Sequence, residues 1–458
     1  MRRSRPIGLL LAVALALTGC SVARGFGVGT QSVPGDALCP SKPRAKHITV
    51  VDWWETSSSP AMLSSAKEFN CAHPNIAINI SIQTNAGDDS NGKVLAAVAA
   101  GKPPDLLLSW DDPLASWAQK GEIQDIGDLA AANGVTKAGI IPQAWNSCLY
   151  KGKLYGMPVD WDPDTLLWYN KKVFKDAGLD PTKPPTTWSQ LQSYARKIDQ
   201  VRGGKIKRLG FIPWSGWQFS YIQIGHMYGA DFQNGSQASV RINSPGLRKT
   251  FDYYTEIAKR YGGGARINSF TTLSGAEGSA ADPLLSGRLG MNMIGDWEIG
   301  QRSNVGAKVF NETLGVTSVP VPPGGHNYLS HSGWSFMVPV GAKHAKEAVQ
   351  FAAWMQQPAN FVKHIATANG WLPARTATRS QSFYTQSPAW QGVLAVEAKN
   401  QPDWWLAPSP ILQQYYRITD ETNASVTALE GSPGKQLTKA QSQVEAVLRN
   451  VTALGIYK

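Results

Sequence analysis

Histidine is scarce in this chain, seven in 458 residues, and no two stand as His-x-His or His-Glu-x-x-His. The spacings that usually hold zinc are therefore missing, and neither a metal nor a cofactor is expected. Cysteine is scarcer, with only Cys20, Cys39, Cys71 and Cys148. Internal repeats and low-complexity blocks are lacking too. Ser64-x-x-Lys67 matches a serine-acylase motif, but no Lys-Thr-Gly partner exists and the stretch reads as an amphipathic helix. Acidic residues are fewer than basic ones, 33 against 44, for a net charge of +11. The lysines and arginines are nevertheless scattered among carboxylates. Their densest run, Lys205-Ile206-Lys207-Arg208, reads as a solvated turn after Gly203-Gly204, so no nucleic-acid partner is expected.

What is present starts with the first 20 residues. Arg2, Arg3 and Arg5 precede an apolar core from Ile7 to Leu17, and Leu17-Thr18-Gly19-Cys20 follows. A core of 11 residues is too short for a bilayer span, which needs roughly 20, so residues 1–19 read as a signal peptide. The Leu-x-Gly-Cys ending resembles the bacterial lipobox, which implies that Cys20 is lipidated and anchors the chain outside the cytoplasm. Residues 20–41, rich in glycine and proline, read as a flexible tether. Of the three remaining cysteines, Cys39 lies just before the first strand and Cys71 ends the first helix, which returns antiparallel to it. Cys39–Cys71 is the preferred bridge, with three unpaired thiols as the alternative.

From His47 the chain alternates strands and helices. Ile48 to Trp53 reads as a buried strand, and Ser59 with Pro60 opens a helix that turns Met62, Leu63, Ala66 and Phe69 inward. Ile76 to Ile82 alternates as a strand, Asn91 to Ala100 is helical, and Asp105 to Ser109 is apolar and extended. Further on, Leu166 to Tyr169 and Arg288 to Ile294 read as strands. A capping box at Thr187-x-x-Gln190 and a Ser244-Pro245 cap begin two helices. The fold class is α/β, with open sheets whose strand ends carry the functional loops.

Several of these segments, in this order, resemble family 1 extracellular solute-binding proteins of carbohydrate ABC transporters, the group similar to maltose-binding protein. They are the lipobox, Val51-Asp52-Trp53-Trp54, Gly101-Lys102-Pro103-Pro104-Asp105, the Tyr150 to Pro158 hairpin, Leu167-Trp168-Tyr169-Asn170-Lys171, Pro185-Thr186-Thr187-Trp188, Gly287 to Trp297, and Gly370-Trp371-Leu372-Pro373-Ala374-Arg375. The resemblance implies a two-lobe fold with a hinge and a ligand cleft between the lobes. Residues 42–157 plus 317–369 would form one lobe, and 158–316 plus 370–458 the other, with crossovers near Pro158, Thr317 and Gly370. It also implies a monomer that hands a carbohydrate to permease subunits, touches the membrane only through its lipid, and is not an enzyme.

A sugar presents hydroxyl edges and flat C–H faces, so its site mixes carboxylates with aromatic rings. Trp54, Glu55, Trp110, Asp111, Asp160, Trp161, Trp217, Asp296, Trp297, Glu298, Gly333, Trp334, Arg375 and Trp405 are the candidate ligand contacts. Asp162 and Asp164 are read as shaping the turn around Pro163, while Trp168 and Trp354 are assigned to the core. The acidic excess suits a neutral mono- or oligosaccharide, the main expectation, and favours a cationic amino sugar as the second. A phosphorylated ligand would need more than Arg375 to balance it. The alternatives are a binder of a glycerophosphodiester or polyamine, and a glycoside hydrolase using paired carboxylates.

Overall fold

The computed structural model describes residues 31–35, 39, 49–55, 62–83, 88–203, 205–215, 220–232, 241–272, 281–302, 305–399, 402–404 and 411–453. Cys20, Ser59, Pro60, Trp217 and Trp405 lie outside them.

Runs of consecutive apolar residues make strands that are covered on both faces. Leu166–Asn170 and Leu289–Ile294 are such strands, buried at every position. They sit in a five-stranded sheet ordered Gln200–Arg202, Lys205–Phe211, Leu289–Ile294, Leu166–Asn170 and Leu314–Thr317. Because side chains alternate across a strand, Leu166 and Trp168 enter one apolar core while Leu167 and Tyr169 enter another. The basic run Lys205 to Arg208 is part of a strand, not a turn, and pairs antiparallel with Gln200–Arg202. Its lysines point to solvent while the strand's far end is buried.

A six-stranded sheet builds the other lobe, in the order Gln31–Val33, Ile76–Ile82, Thr49–Glu55, Leu106–Trp110, Trp334–Met337 and Gly156–Pro158. Thr49–Glu55 runs parallel to both of its neighbours, so their carboxyl ends open on one edge. Met62–Ala72 covers this sheet with Met62, Ala66 and Phe69 buried and Leu63 half-buried. The tether expected to extend to residue 41 ends sooner, since Gln31–Val33 pairs antiparallel with Ile76–Ile82. The Asn70 amide donates to the Gly35 carbonyl, and Cys39 is bridged to Cys71 across 5.4 Å between Cα atoms. Cys148 is free and buried.

Helix ends follow their capping residues. Thr187 and Gln190 make the reciprocal capping box of Trp188–Ile198, and Ser244 caps Pro245–Tyr261. A small third sheet is made of Pro402–Trp404, Leu329–Ser332 and Asp162–Pro163. Elsewhere backbones come close. A Cβ on Gly300 would stand 2.3 Å from the Asn369 carbonyl carbon, so only glycine fits where Glu298–Arg302 meets Thr367–Asn369. Among the described residues no helix is long and apolar enough to cross a membrane.

Candidate functional site

The strand Leu106–Trp110 delivers Trp110 and Asp111 to the carboxyl end of its sheet, beside Gly333. Its neighbour Trp334–Met337 begins there, with Trp334 opposite Trp110. The Trp110 and Trp334 rings meet edge to face at 5.7 Å, and Trp334 stacks on Trp371 at 5.1 Å with 20° between the planes. Trp110 is the most exposed of the three rings, at 37%. Three consecutive rings form an aromatic cluster of the kind that packs on sugar C–H faces.

Carboxylates lie beside the rings. The Trp334 backbone N–H donates to Asp160 Oδ1 at 2.6 Å, and Asp111 N donates to the Gly333 carbonyl at 3.1 Å. Gly333 permits this approach, since a Cβ there would lie 2.7 Å from the Asp160 carbonyl oxygen. Leu372 N donates to Asp162 Oδ1 at 2.7 Å, and the Ser332 hydroxyl to Asp164 Oδ1 at 2.6 Å. Asp112 accepts from the Tyr416 hydroxyl at 3.3 Å. Asp296 follows the Leu289–Ile294 strand, is 0% exposed, and has no hydrogen-bond partner on either carboxyl oxygen among the described residues.

Burial raises all six carboxyls, because charge is costly away from water. Asp111 is pushed up to about 6, with hydrogen bonding from Ser147 opposing, and Asp162 to about 7. Asp112, Asp160, Asp164 and Asp296 are held well above the carboxylate range, by burial first. The charges of Asp111 and Asp164 add to this at Asp112, and that of Asp162 adds at Asp160, Asp164 and Asp296.

The folded chain consequently holds protons that the unfolded chain gives up near 3.8. This contribution to stability is full below that value and is lost as pH rises through about 6 and about 7. The unliganded protein should therefore melt at a higher temperature at about pH 5.5 than at about pH 7.5. A flat or opposite trend in scanning calorimetry would show that these carboxyls are ionised in the fold.

The cation beside the carboxylates is Arg379 rather than Arg375. Arg379 donates to Glu397 at 2.6 Å, to the Trp161 carbonyl at 3.0 Å and to the Pro373 carbonyl at 2.8 Å. Burial pushes Glu397 upward, but Arg379 and His331 more than offset it and hold that carboxyl below its ordinary value. Arg375 is half-buried, bridges to Ile140, and its Nε has no partner among the described residues. Trp161, expected to touch ligand, is 1% exposed and stacks parallel on His331 at 5.9 Å. With its ring covered, it packs the crossing segment.

Trp54 and Glu55 stand on the next strand, opposite Leu107 and Leu108, with Trp54 half-buried and Glu55 fully buried. Glu298 is buried at the start of Glu298–Arg302. Trp297 is half-buried and its ring lies over Gly295, where a Cβ would come within 2.1 Å. Asp162 and Asp164 belong to the cluster and do more than shape a turn. Arg379, Glu397, His331 and Tyr416 were not foreseen. The signal for the aspartates was their spacing, since Asp160, Asp162 and Asp164 are two apart and an extended chain turns such residues to one side.

The profile of bacterial extracellular solute-binding proteins matches residues 64–392. The chain is 24% identical over 438 residues to the sn-glycerol-3-phosphate-binding periplasmic protein UgpB of Pectobacterium atrosepticum, covering 88% of this chain and 92% of that one. It is 22% identical over 360 residues to an uncharacterized ABC transporter extracellular-binding protein of Pyrococcus horikoshii, covering 78% and 77%. Among solved structures it is similar to CpMnBP1 with mannotriose bound, with a TM-score of 0.77, 28% identity, and coverage of 86% of this chain and 99% of that one.

Proposed function

The chain belongs to the bacterial extracellular solute-binding protein family, and on that footing we propose that it captures a mono- or oligosaccharide between its lobes for an ABC import permease. The observation that carries this is the junction at Trp334. Its ring joins the Trp110–Trp334–Trp371 ladder, while its backbone N–H holds Asp160, one of the buried carboxyls. Aromatic rings and acceptor oxygens thus meet at one residue, which suits the faces and edges of a sugar. CpMnBP1, with mannotriose bound, supports the same ligand class. The matched relatives are named as binding proteins, in keeping with a role without catalysis.

A glycerophosphodiester, which the likeness to UgpB raises, fits this site poorly. A phosphate would enter among six carboxyls, and Arg379 is already engaged by Glu397 and two carbonyls. The lobes are residues 42–157 plus 317–369 and 158–316 plus 370–458, with the strand Gln31–Val33 and Cys39 joining the first. Closure about Pro158, Thr317 and Gly370 would press Trp110 and Asp296 onto one ligand.

Thermal unfolding against a carbohydrate panel tests the reading. A ligand at about 100 times its Kd adds roughly 2.7 kcal/mol. At roughly 2 to 4 °C for each kcal/mol, its midpoint shift should stand clear of the other sugars. A panel of mannose-, glucose- and galactose-based mono- to trisaccharides that shifts nothing, alongside a clear shift with glycerol 3-phosphate, would replace this reading by the other.

The protein works as a lipid-anchored monomer outside the cytoplasm, held through Cys20. Cys20→Ala should release it from the membrane fraction with ligand affinity unchanged, because the anchor precedes the first strand at Gln31–Val33. Reduced affinity in a folded Cys20→Ala protein would place the N-terminal segment within the site.

A further inference from the structure

The two oxygens of Asp296 are the most demanding feature of the site. The side chain is fully buried, it neighbours Asp160, Asp162, Asp164, Glu397 and Tyr384, and none of the described residues donates to it. Asp160 Oδ2 is likewise without a donor. Asp162, Asp164 and Asp112 each have one oxygen satisfied, by Leu372 N, Ser332 and Tyr416 respectively. Arg379 acts on Asp296 through its charge but makes no hydrogen bond to it, its three bonds going to Glu397, Trp161 and Pro373.

Resting on the carbohydrate reading, we propose that the ligand is an amino sugar or a saccharide containing one, and that Asp296 receives its ammonium group with Asp160 alongside. Neutral hydroxyls would satisfy the acceptor oxygens but leave the carboxyls to be neutralised by protons. An ammonium supplies up to three donors and the positive charge together, and charge-assisted hydrogen bonds are roughly twice as strong as neutral ones. The aromatic ladder takes the same ligand through its C–H face, so ring and cation are recognised from different sides.

The test is calorimetric titration of the mature chain with glucosamine, galactosamine and mannosamine and their β-1,4 disaccharides, each paired with the parent sugar that has a hydroxyl in place of the amine. At least one amino sugar should bind about tenfold or more tightly than its parent. Asp296→Asn, similar in shape but uncharged, should bring that ratio to about one. The parent-protein ratio decides the matter even where the variant folds poorly. Neutral parents that bind as tightly as their amines, or more tightly, would overturn the proposal and leave the carbohydrate reading standing. Binding of spermidine with no response to any sugar would overturn both, as would no binding by either series.

Discussion

Replacing Arg379 with methionine should destabilise the protein by about 3 to 5 kcal/mol, the usual cost of leaving a buried charge without its partner. Arg379 and Glu397 are both largely shielded from water, and their contact at 2.6 Å spans the short helix Thr376–Arg379 and the helix Pro388–Lys399. The same guanidinium holds the carbonyls of Trp161 and Pro373, so it also ties down the crossing segment that carries Asp160, Asp162 and Asp164. Removing it orphans Glu397 apart from His331 at 3.2 Å, and strips Asp162 and Asp296 of the positive charge that opposes their rise. At roughly 2 to 4 °C for each kcal/mol in lobes of this size, the midpoint should drop by roughly 6 to 20 °C.

The double variant Arg379→Met, Glu397→Gln should recover part of that loss, because no uncompensated charge remains. Urea unfolding of the two single variants and the double one measures the coupling. Additive losses would mean that the pair acts independently and that Arg379 matters only for its carbonyl contacts. A loss below about 0.5 kcal/mol in the single variant, the range of ordinary surface substitutions, would remove Arg379 from the site altogether.

How much of this was readable beforehand follows from where each element draws its stability. Leu166–Asn170, Leu289–Ile294 and Ile76–Ile82 announce themselves because apolar runs between turn residues leave little else to do than pair and be covered. The caps at Thr187 and Ser244 act within one turn, so a local reading suffices. The small sheet is different. Asp162–Pro163 is two residues of polar and imino character, and it is extended only because Leu329–Ser332 arrives from about 165 positions away to pair with it. Gln31–Val33, at three residues, is also short and shows no hydrophobic alternation. Its place on the sheet edge depends on Ile80 to Ile82 and on the bridge from Cys39 to Cys71.

The candidate site was legible to the extent that it lies at strand ends. Trp110, Asp111, Asp296 and Trp334 all do, and the α/β pattern points to them directly. Arg379 was missed in favour of Arg375 because the two are four residues apart, and only the three-dimensional course of the chain decides which one turns inward. Trp161 was placed on the ligand for its neighbours Asp160 and Asp162. Alternation along an extended segment sends it to the opposite side, onto His331.

Trp168→Ala should cost about 3 to 5 kcal/mol from packing alone, as large aromatic truncations in a core do. Trp168 is 1% exposed in the Leu166–Asn170 strand, next to the sheet's edge strand, opposite Asn292 on one neighbour and Val316 on the other. Its ring meets Phe310 edge to face at 5.7 Å, and its indole N–H donates to the Gly295 carbonyl at 3.1 Å. That bond fixes the residue immediately before Asp296, so the core and the site share this one contact. Trp168→Phe separates the two roles in part, since it keeps a six-membered ring in the core but removes the donor together with the five-membered ring, at a cost of about 1 to 3 kcal/mol. The phenylalanine variant should thus lose less stability than the alanine variant while gripping its ligand less tightly than the parent. Unfolding curves paired with ligand titration on both variants read these losses separately. A phenylalanine variant with unchanged affinity would mean that Gly295 is held without the indole and that Trp168 serves the core alone.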